Sequence, residues 1–182
     1  MKKILALVLA LALVLTAVSA FAATNSKENP GGGGGGYIGG QDDTTDETEE
    51  PSLEKVGDTD ATKEIKQLII DGEAEGDPLG KLPEDVKGKV PADQKTVNEM
   101  VTYQLKGDVS NLDSLKLVFS FETKYGDGEA VTILIGIPAD GATEWIVLEG
   151  KGNKDGDVEV TVDGATLNKI ANNPFVVIPV SK

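Results

Sequence analysis

The stretch "LKLVFSFETKYGDGEAVTILIGIPADGATEWIVLEG", residues 115–150, decides the fold of this chain. Apolar residues occupy every second position in its first two runs, 115–121 and 130–137, and this alternation is typical of strands with one buried face. The segments between the runs, "ETKYGDGEA" and "PADGA", are rich in turn-forming residues. The third run, "TEWIVLEG", is apolar on both faces, which predicts a central strand.

Strand patterns continue on both sides of this stretch. They lie at residues 97–105, 157–162 and 174–180. The first is ambiguous, because Thr96 and Glu99 also match a helical capping box; we favour a strand, since 101–105 leads into similar strands. Pro179 predicts that the last strand lies at an edge or ends there. Six strands with turn-rich connections predict an antiparallel, immunoglobulin-like β-sandwich over residues 97–182, with Leu167 and Ile170 filling its core.

The segment before the predicted sandwich, residues 61–96, reads as a short helix followed by a loop. In "TKEIKQLIIDG", residues 62–72, the apolar residues Ile65, Leu68 and Ile69 recur at helical spacing. Thr62 is a candidate for the first cap of this helix and Gly72 for the second.

Residues 23–60 form the next predicted region, a disordered linker rich in glycine and acidic residues. The run "GGGGGGYIGGQDDTTDETEE" at 31–50 contains almost nothing that a core could bury. Such a composition does not offset the entropy lost when a backbone becomes ordered.

The first residues, "MKKILALVLALALVLTAVSAFAA", match a secretory signal peptide over residues 1–22. Lys2 and Lys3 precede an apolar core, and Ala20 and Ala22 occupy the small-residue positions that predict cleavage before Ala23. The alternative is a membrane anchor, but a spanning helix needs about 20 apolar residues and this core is shorter. We therefore expect a secreted, extracellular protein without membrane insertion after cleavage.

Several residue types are missing, and their absence excludes whole classes of function. All 17 basic residues are Lys, there is no Arg, His or Cys, and the net charge is −14. Zinc sites of the usual kind and catalytic pairs built on His or Cys are therefore excluded. The acidic charge repels nucleic acid. We expect no cofactor and no enzymatic activity.

The order "VNEMVTYQLKG", "VFSFETKYGDGEAVTILIGI" and "EWIVLEGKGNKDGDVEVTV" resembles a C-terminal β-sandwich module of exported proteins from Clostridia-type gut bacteria. The resemblance covers about residues 97–182. It implies export and an immunoglobulin-like sandwich. That module has no assigned activity, so the resemblance implies no functional residues.

The candidate ligand-binding residues are the aromatic side chains Trp145, Tyr103 and Tyr125, which could stack on a sugar if they lined an open face. Trp145 is the only tryptophan, and its apolar neighbours also fit a core position. Asn153, Asp155 and Asp157 are spaced as in a calcium loop, but the Gly and Glu that an EF-hand requires are missing, and a hairpin turn explains them. We predict no metal site.

Two functions remain open after these exclusions. The first is a non-catalytic exported module that binds an unknown extracellular protein or glycan or has a structural role at the cell envelope. The alternative is a carbohydrate-binding or minimal carbohydrate-active protein that uses paired carboxylates. The alternative requires an open concave face lined by Trp145, Tyr103 or Tyr125 with polar partners, whereas the first function expects these rings to be mostly buried.

Overall fold

The alternating apolar residues form the strands of one sheet in a computed structural model, which describes residues 50–182. Along the chain the elements are β1 (Ser52–Lys55), α1 (Asp60–Ala74), α2 (Glu84–Lys87), β2 (Thr96–Val97), β3 (Val101–Lys106), β4 (Ser114–Phe119), β5 (Ala130–Ala139), β6 (Ala142–Gly152), β7 (Val158–Asp163), α3 (Gly164–Ile170) and β8 (Pro174–Ser181). The predicted signal peptide and residues 23–49 of the predicted linker lie outside the described residues. Within residues 50–182, no helix has the length and apolar character that crossing a membrane requires.

The strands are hydrogen-bonded in the order β1-β3-β8-β5-β6-β7-β4, and β2 adds to β8. Every strand pairing is antiparallel, which confirms the predicted β class. The sheet is nearly closed, because the ring of Tyr103 on β3 meets Phe119 on β4 with 5.2 Å between their centroids. The Tyr103 hydroxyl also donates to the Ser120 carbonyl over 2.6 Å. The two-layered sandwich itself remains a prediction.

The sheet buries both of its faces over much of its area. Its inner face, on the concave side, packs around Phe119, Ile133 and Phe175, and it includes the predicted plug residues Leu167 and Ile170, which α3 carries. On the outer face, residues of α1 and α2 pack against alternate side chains of β5 and β8; this second core comprises Ile65, Ile69, Leu79, Leu82, Val86, Leu134, Val176, Ile178 and Val180.

Helix α1 begins earlier than predicted. Thr59, not Thr62, is the N-cap, and the two threonines satisfy each other's backbone N–H groups in a reciprocal arrangement. Thr62 is buried within the first turn. The helix is also fixed from the side, because the Asp58 carboxylate accepts from Lys66 Nζ at 2.6 Å and from the buried Thr102 hydroxyl of β3. Burial opposes ionisation of Asp58, but these hydrogen bonds and the Lys66 charge outweigh it and lower its pKa.

The predicted linker and the first predicted strand need correction at their boundaries. Residues 52–55, assigned to the linker, form β1, which pairs with β3 from Ser52–Lys106 to Lys55–Tyr103. This short strand is mostly exposed, and its backbone pairing with β3 keeps it in place. Its own sequence therefore lacks the alternating apolar residues that would have predicted a strand. The segment 97–105 is extended, as favoured, but Asn98–Met100 interrupt it between β2 and β3.

The position predicted for Pro179 is wrong, because β8 lies between β3 and β5. Pro179 lies opposite Ile133 of β5. Residue pairs of an antiparallel ladder are alternately hydrogen-bonded and non-hydrogen-bonded, and at this non-hydrogen-bonded pair the proline nitrogen faces away from β5. On that other side the neighbouring strand is interrupted between β2 and β3. A proline is tolerated there because the missing N–H has no ladder partner to lose.

Candidate functional site

The three aromatic residues that sequence analysis singled out do not form one surface. Tyr103 and Tyr125 are 3% and 5% exposed and belong to the inner core. Their rings are joined through Phe119 and Phe121 in a chain of edge and tilted contacts. Trp145 is half-buried on the opposite face, against the core under α1. The structure therefore brings the two tyrosines into one cluster and separates them from the tryptophan.

Burial changes the two phenols in different ways. The Tyr103 hydroxyl has the Ser120 carbonyl as its acceptor, and burial raises the pKa of Tyr103 despite this bond. Burial also raises the pKa of Tyr125 to about 12, although the nearby Asn98 side chain lessens the effect. Within the described residues, however, the buried Tyr125 hydroxyl has no partner in hydrogen-bonding geometry. Neither phenol reaches an open surface from which it could contact a sugar.

We expect opposite results when each phenol is replaced by phenylalanine. Tyr103→Phe should lower the free energy of unfolding by about 1–2 kcal/mol, because it leaves the Ser120 carbonyl without its donor. Tyr125→Phe should leave stability within about 0.5 kcal/mol or raise it, because it removes a buried hydroxyl for which the described residues offer no well-aligned partner. Urea denaturation of the two variants measures both effects. A larger loss for Tyr125→Phe than for Tyr103→Phe would show that the Tyr125 hydroxyl has an important partner.

The residues with calcium-like spacing are already engaged in a hairpin turn. The Asn153 side-chain oxygen accepts from the N–H groups of Asp155 and Asp157 at 2.9 and 3.0 Å. The Asp157 carboxylate accepts from the Ser120 hydroxyl and from Lys124 Nζ at 2.9 and 2.8 Å. These bonds connect the β6–β7 turn to the segment that follows β4. In the part of the chain that the structure describes, no cluster of three acidic residues is arranged to hold a metal ion.

An open groove of 540 Å³ crosses the outer face beyond the helices, where β5, β6, β7 and β4 lie side by side. Its polar lining comes from outward-facing strand residues and one loop residue: Gln94, Lys116, Thr132, Glu149, Lys151, Glu159 and Thr161. A second cavity of 520 Å³ adjoins it and shares Pro91 and Gln94 as a common wall. We take this groove, which combines donors and acceptors from several strands, as the candidate binding surface.

Gln94 forms the wall of the groove and has a definite structural role. It is 5% exposed, its amide nitrogen donates to the Ala130 carbonyl, and its oxygen accepts from the Thr132 N–H, at 3.2 and 3.0 Å. The side chain thus provides hydrogen bonds to the backbone of β5 near the end of β8. Its position is therefore fixed by β5, and a ligand in the groove would meet a rigid wall.

Gly150 leaves room for the inner-face side chains of β7 beneath the groove. A side-chain carbon at this position would lie 2.6 Å from Val158 Cγ1 and 3.1 Å from the Val131 carbonyl oxygen. Without it, β6 comes close to β7, and the two strands pair from Gly150 to Gly152. This close approach brings Lys151 directly opposite Glu159.

Charges in the groove balance, although the chain as a whole carries −14. Lys116 Nζ lies 3.0 Å from Glu159 Oε2, and this hydrogen bond and the lysine charge lower the Glu159 pKa. Glu149 and Lys151 provide one further charge of each sign. Glu159 is consequently ionised near neutral pH, and the groove offers donors and acceptors to a polar ligand without strong net charge.

Sequence reasoning missed this groove, since none of its residues belongs to a motif. The alternation of β5 and β7 does predict outward-facing Thr132 and Glu159, but the contribution of Gln94 from a distant loop has no local signal. Comparison of the chain with protein-family models, curated proteins and solved structures finds no match.

Proposed function

We propose that this protein is an exported, non-catalytic domain that binds a polar extracellular partner, a protein or a glycan, through the groove on the outer face. The carrying observation is the composition of that groove, which is open, rigid at Gln94 and balanced in charge. Export is proposed from residues 1–22 alone. We also propose that the fold is, more finely, an immunoglobulin-like sandwich. The relation to exported Clostridia-type modules is part of the same proposal.

The state of Glu159 favours binding over hydrolysis. Carboxylate-based glycoside hydrolysis needs one carboxyl group with a raised pKa that acts as the general acid. In the groove the Lys116 hydrogen bond shifts the Glu159 pKa in the opposite direction. The burial of Tyr103 and Tyr125 leaves Trp145, half-buried on the outer face, as the one ring of the three that the carbohydrate alternative could use. A role as a structural unit of the cell envelope remains compatible with the same groove.

Export and binding are tested on the full-length gene in a Gram-positive host. N-terminal sequencing of the protein in the medium should begin at Ala23, and an intact Met1 on membrane-bound protein would contradict export. The purified protein is then mixed with cell-wall sacculi and with a panel of soluble polysaccharides. Binding is read by co-sedimentation and calorimetry, and hydrolysis by release of reducing ends.

A matched pair of lysine variants assigns any binding to the groove. The Lys116 and Lys63 side chains are both 62% exposed and each forms one ion pair with a carboxylate, but only Lys116 lines the groove. Lys116→Ala should weaken binding roughly tenfold, as expected for a lost polar contact of about 1.4 kcal/mol, whereas Lys63→Ala should not. Equal effects would place binding elsewhere, and turnover abolished by Glu149→Gln or Glu159→Gln would establish the carbohydrate-active alternative.

A further inference from the structure

The groove on the outer face adjoins two further cavities. Pro91 and Gln94 also line the cavity of 520 Å³, whose other walls are the loops that follow α1 and α2. Lys151 and Glu159 also line a third cavity, of 470 Å³, at the turn that joins β6 to β7. The three cavities with shared walls form one continuous surface, which we call the outer track.

The size of the outer track points to a long ligand. Pockets that hold one small molecule measure about 300–1,000 Å³. The groove alone, at 540 Å³, falls within this range, but together with its two neighbours it exceeds the range. All three cavities are open to solvent, so a chain can enter the track at one end and leave it at the other. These dimensions fit a linear polymer better than a single small molecule.

Lysines that form no ion pair are concentrated along the outer track. In residues 50–182, nine lysines lie within ion-pairing distance of a carboxylate. The remaining five, considering only these described residues, are Lys55, Lys89, Lys95, Lys151 and Lys154. Three of the five line the track, one in each cavity: Lys95 beside the helices, Lys151 in the groove and Lys154 at the β6–β7 turn. All three are exposed, so their charges are accessible to a ligand.

The same cavities present carboxylates that no lysine neutralises. Asp77 lines the cavity beside the helices, and Glu149 lines the groove. Asp127 and Asp155 line the cavity at the β6–β7 turn. None of the four forms an ion pair within the part of the chain that the structure describes. Free charges of both signs therefore recur in every cavity, and the net charge of −14 resides on other parts of the chain.

The centre of the track also offers hydroxyl groups. Thr132 lies opposite Glu149 on β5, and Thr161 lies opposite it on β7, one step beyond the Gly150–Val160 pair. Thr132 is 4% exposed, and its hydroxyl has no hydrogen-bond partner among the described residues although it lines the groove. A hydroxyl can donate to a carbonyl or accept from an N–H group. Both groups occur in every residue of a peptide backbone.

We propose that the ligand of the outer track is an extended polypeptide segment that carries both basic and acidic side chains. Such a ligand presupposes the binding role proposed for the groove and names the class of its partner. It can pair with a free lysine and a free carboxylate in each cavity. A polymer of one sign, such as a polyphosphate or polylysine, would meet like charges in all three. A neutral polysaccharide would leave both kinds of charge unpaired, and the described residues that line the three cavities include no aromatic ring on which a sugar could stack.

The peptide ligand is tested on the purified full-length protein with a displayed library of random 12-residue peptides. Enriched peptides should contain residues of both signs more often than the library does. One enriched peptide is synthesised, and its affinity is measured by calorimetry beside that of its four-residue fragments. Each fragment reaches only part of the track and should bind at least about tenfold more weakly than the whole peptide. A fragment that binds as tightly as the whole peptide would contradict an extended ligand.

Lysines at the two ends of the track provide the variants, and β1 provides a matched control. Lys95→Ala and Lys154→Ala should each weaken binding of the 12-residue peptide about two- to fivefold, the range for one ion pair at an exposed position. Lys55 is also exposed and, within residues 50–182, also forms no ion pair, but it lines none of the three cavities. Lys55→Ala should therefore bind like the wild type. Converting the acidic residues of the peptide to amides should weaken its binding to the wild type more than its binding to the double variant Lys95→Ala/Lys154→Ala.

The outcomes distinguish failure of the peptide ligand from failure of the groove. If Lys116→Ala weakens binding of the peptide but neither Lys95→Ala nor Lys154→Ala does, the groove binds a short ligand and the extended one is wrong. If no peptide is enriched while a polysaccharide binds in the groove, the groove keeps its binding role and the peptide class is wrong. If neither a peptide nor a polysaccharide binds, or if Lys116→Ala has no effect on binding, both proposals are wrong.

Discussion

Replacing Phe119 with alanine should lower the free energy of unfolding by about 3–5 kcal/mol, the range for deleting a fully buried aromatic side chain. Phe119 is 0% exposed, and its ring lies between those of Tyr103 and Phe121, at 5.2 and 6.5 Å. At this point β3 and β4, which are not neighbours in the strand order, meet through side chains and bring the nearly closed sheet together. A domain of this size has a total stability of about 5–15 kcal/mol, so the variant should be close to unfolding.

The adjacent residue provides the control for this prediction. Val118 precedes Phe119 on the same strand, points to the outer face and is 42% exposed. Val118→Ala should change the free energy of unfolding by no more than about 0.5 kcal/mol. Both variants are measured by urea denaturation followed by circular dichroism. Similar losses in the two would mean that the inner face of β4 is not the buried one and that the curled sheet is wrong.

Local patterns predict much of this fold, because apolar residues recur at every second position along a strand with one buried face. The alternation at 115–121 and 130–137 identified β4 and β5 and their inner residues, and Leu167 and Ile170 were correctly placed in the core. Periodicity does not reveal which strands are neighbours. Pairing is a contact between distant segments, and neither β1 nor the break between β2 and β3 leaves a period in the sequence.

Strands β8 and β6 illustrate this limit. Pro179 predicted an edge for β8, yet β8 is central because the proline coincides with an interruption in its neighbour. The apolar run at 143–150 predicted a central strand, and β6 does lie between β5 and β7, although among the described residues its pairing with β7 is limited to Gly150–Gly152. The groove was beyond sequence reasoning for a related reason. Gln94 reaches it from a loop 36 residues away from Ala130.

The docking of α1 on the sheet depends on a contact between Ile65 and Gly136, where there is no room for a larger side chain on the strand. Ile65 is 2% exposed and packs into the outer core. Beneath it is Gly136 of β5, where an added side-chain carbon would lie 2.7 Å from Ile65 Cγ2 and 3.1 Å from Trp145 Cζ3. The glycine therefore gives room to the isoleucine, and the two positions should respond to substitution as a pair.

We expect Ile65→Ala to lower the free energy of unfolding by about 2–5 kcal/mol, because it leaves a cavity between helix and sheet. Ile70 on the same helix is 45% exposed, and Ile70→Ala, which brings the same gain in helix propensity, should stay within about 0.5 kcal/mol of the wild type. Gly136→Ala alone should cost about 1–3 kcal/mol through overpacking. In the double variant the new methyl group enters the space that Ile65 vacated, so the combined loss should be smaller than the sum by about 0.5–3 kcal/mol. Chemical denaturation of the four proteins of the cycle measures this coupling. Strict additivity would mean that α1 does not rest on Gly136, and the outer core would then need another account of why β5 carries a glycine at its centre.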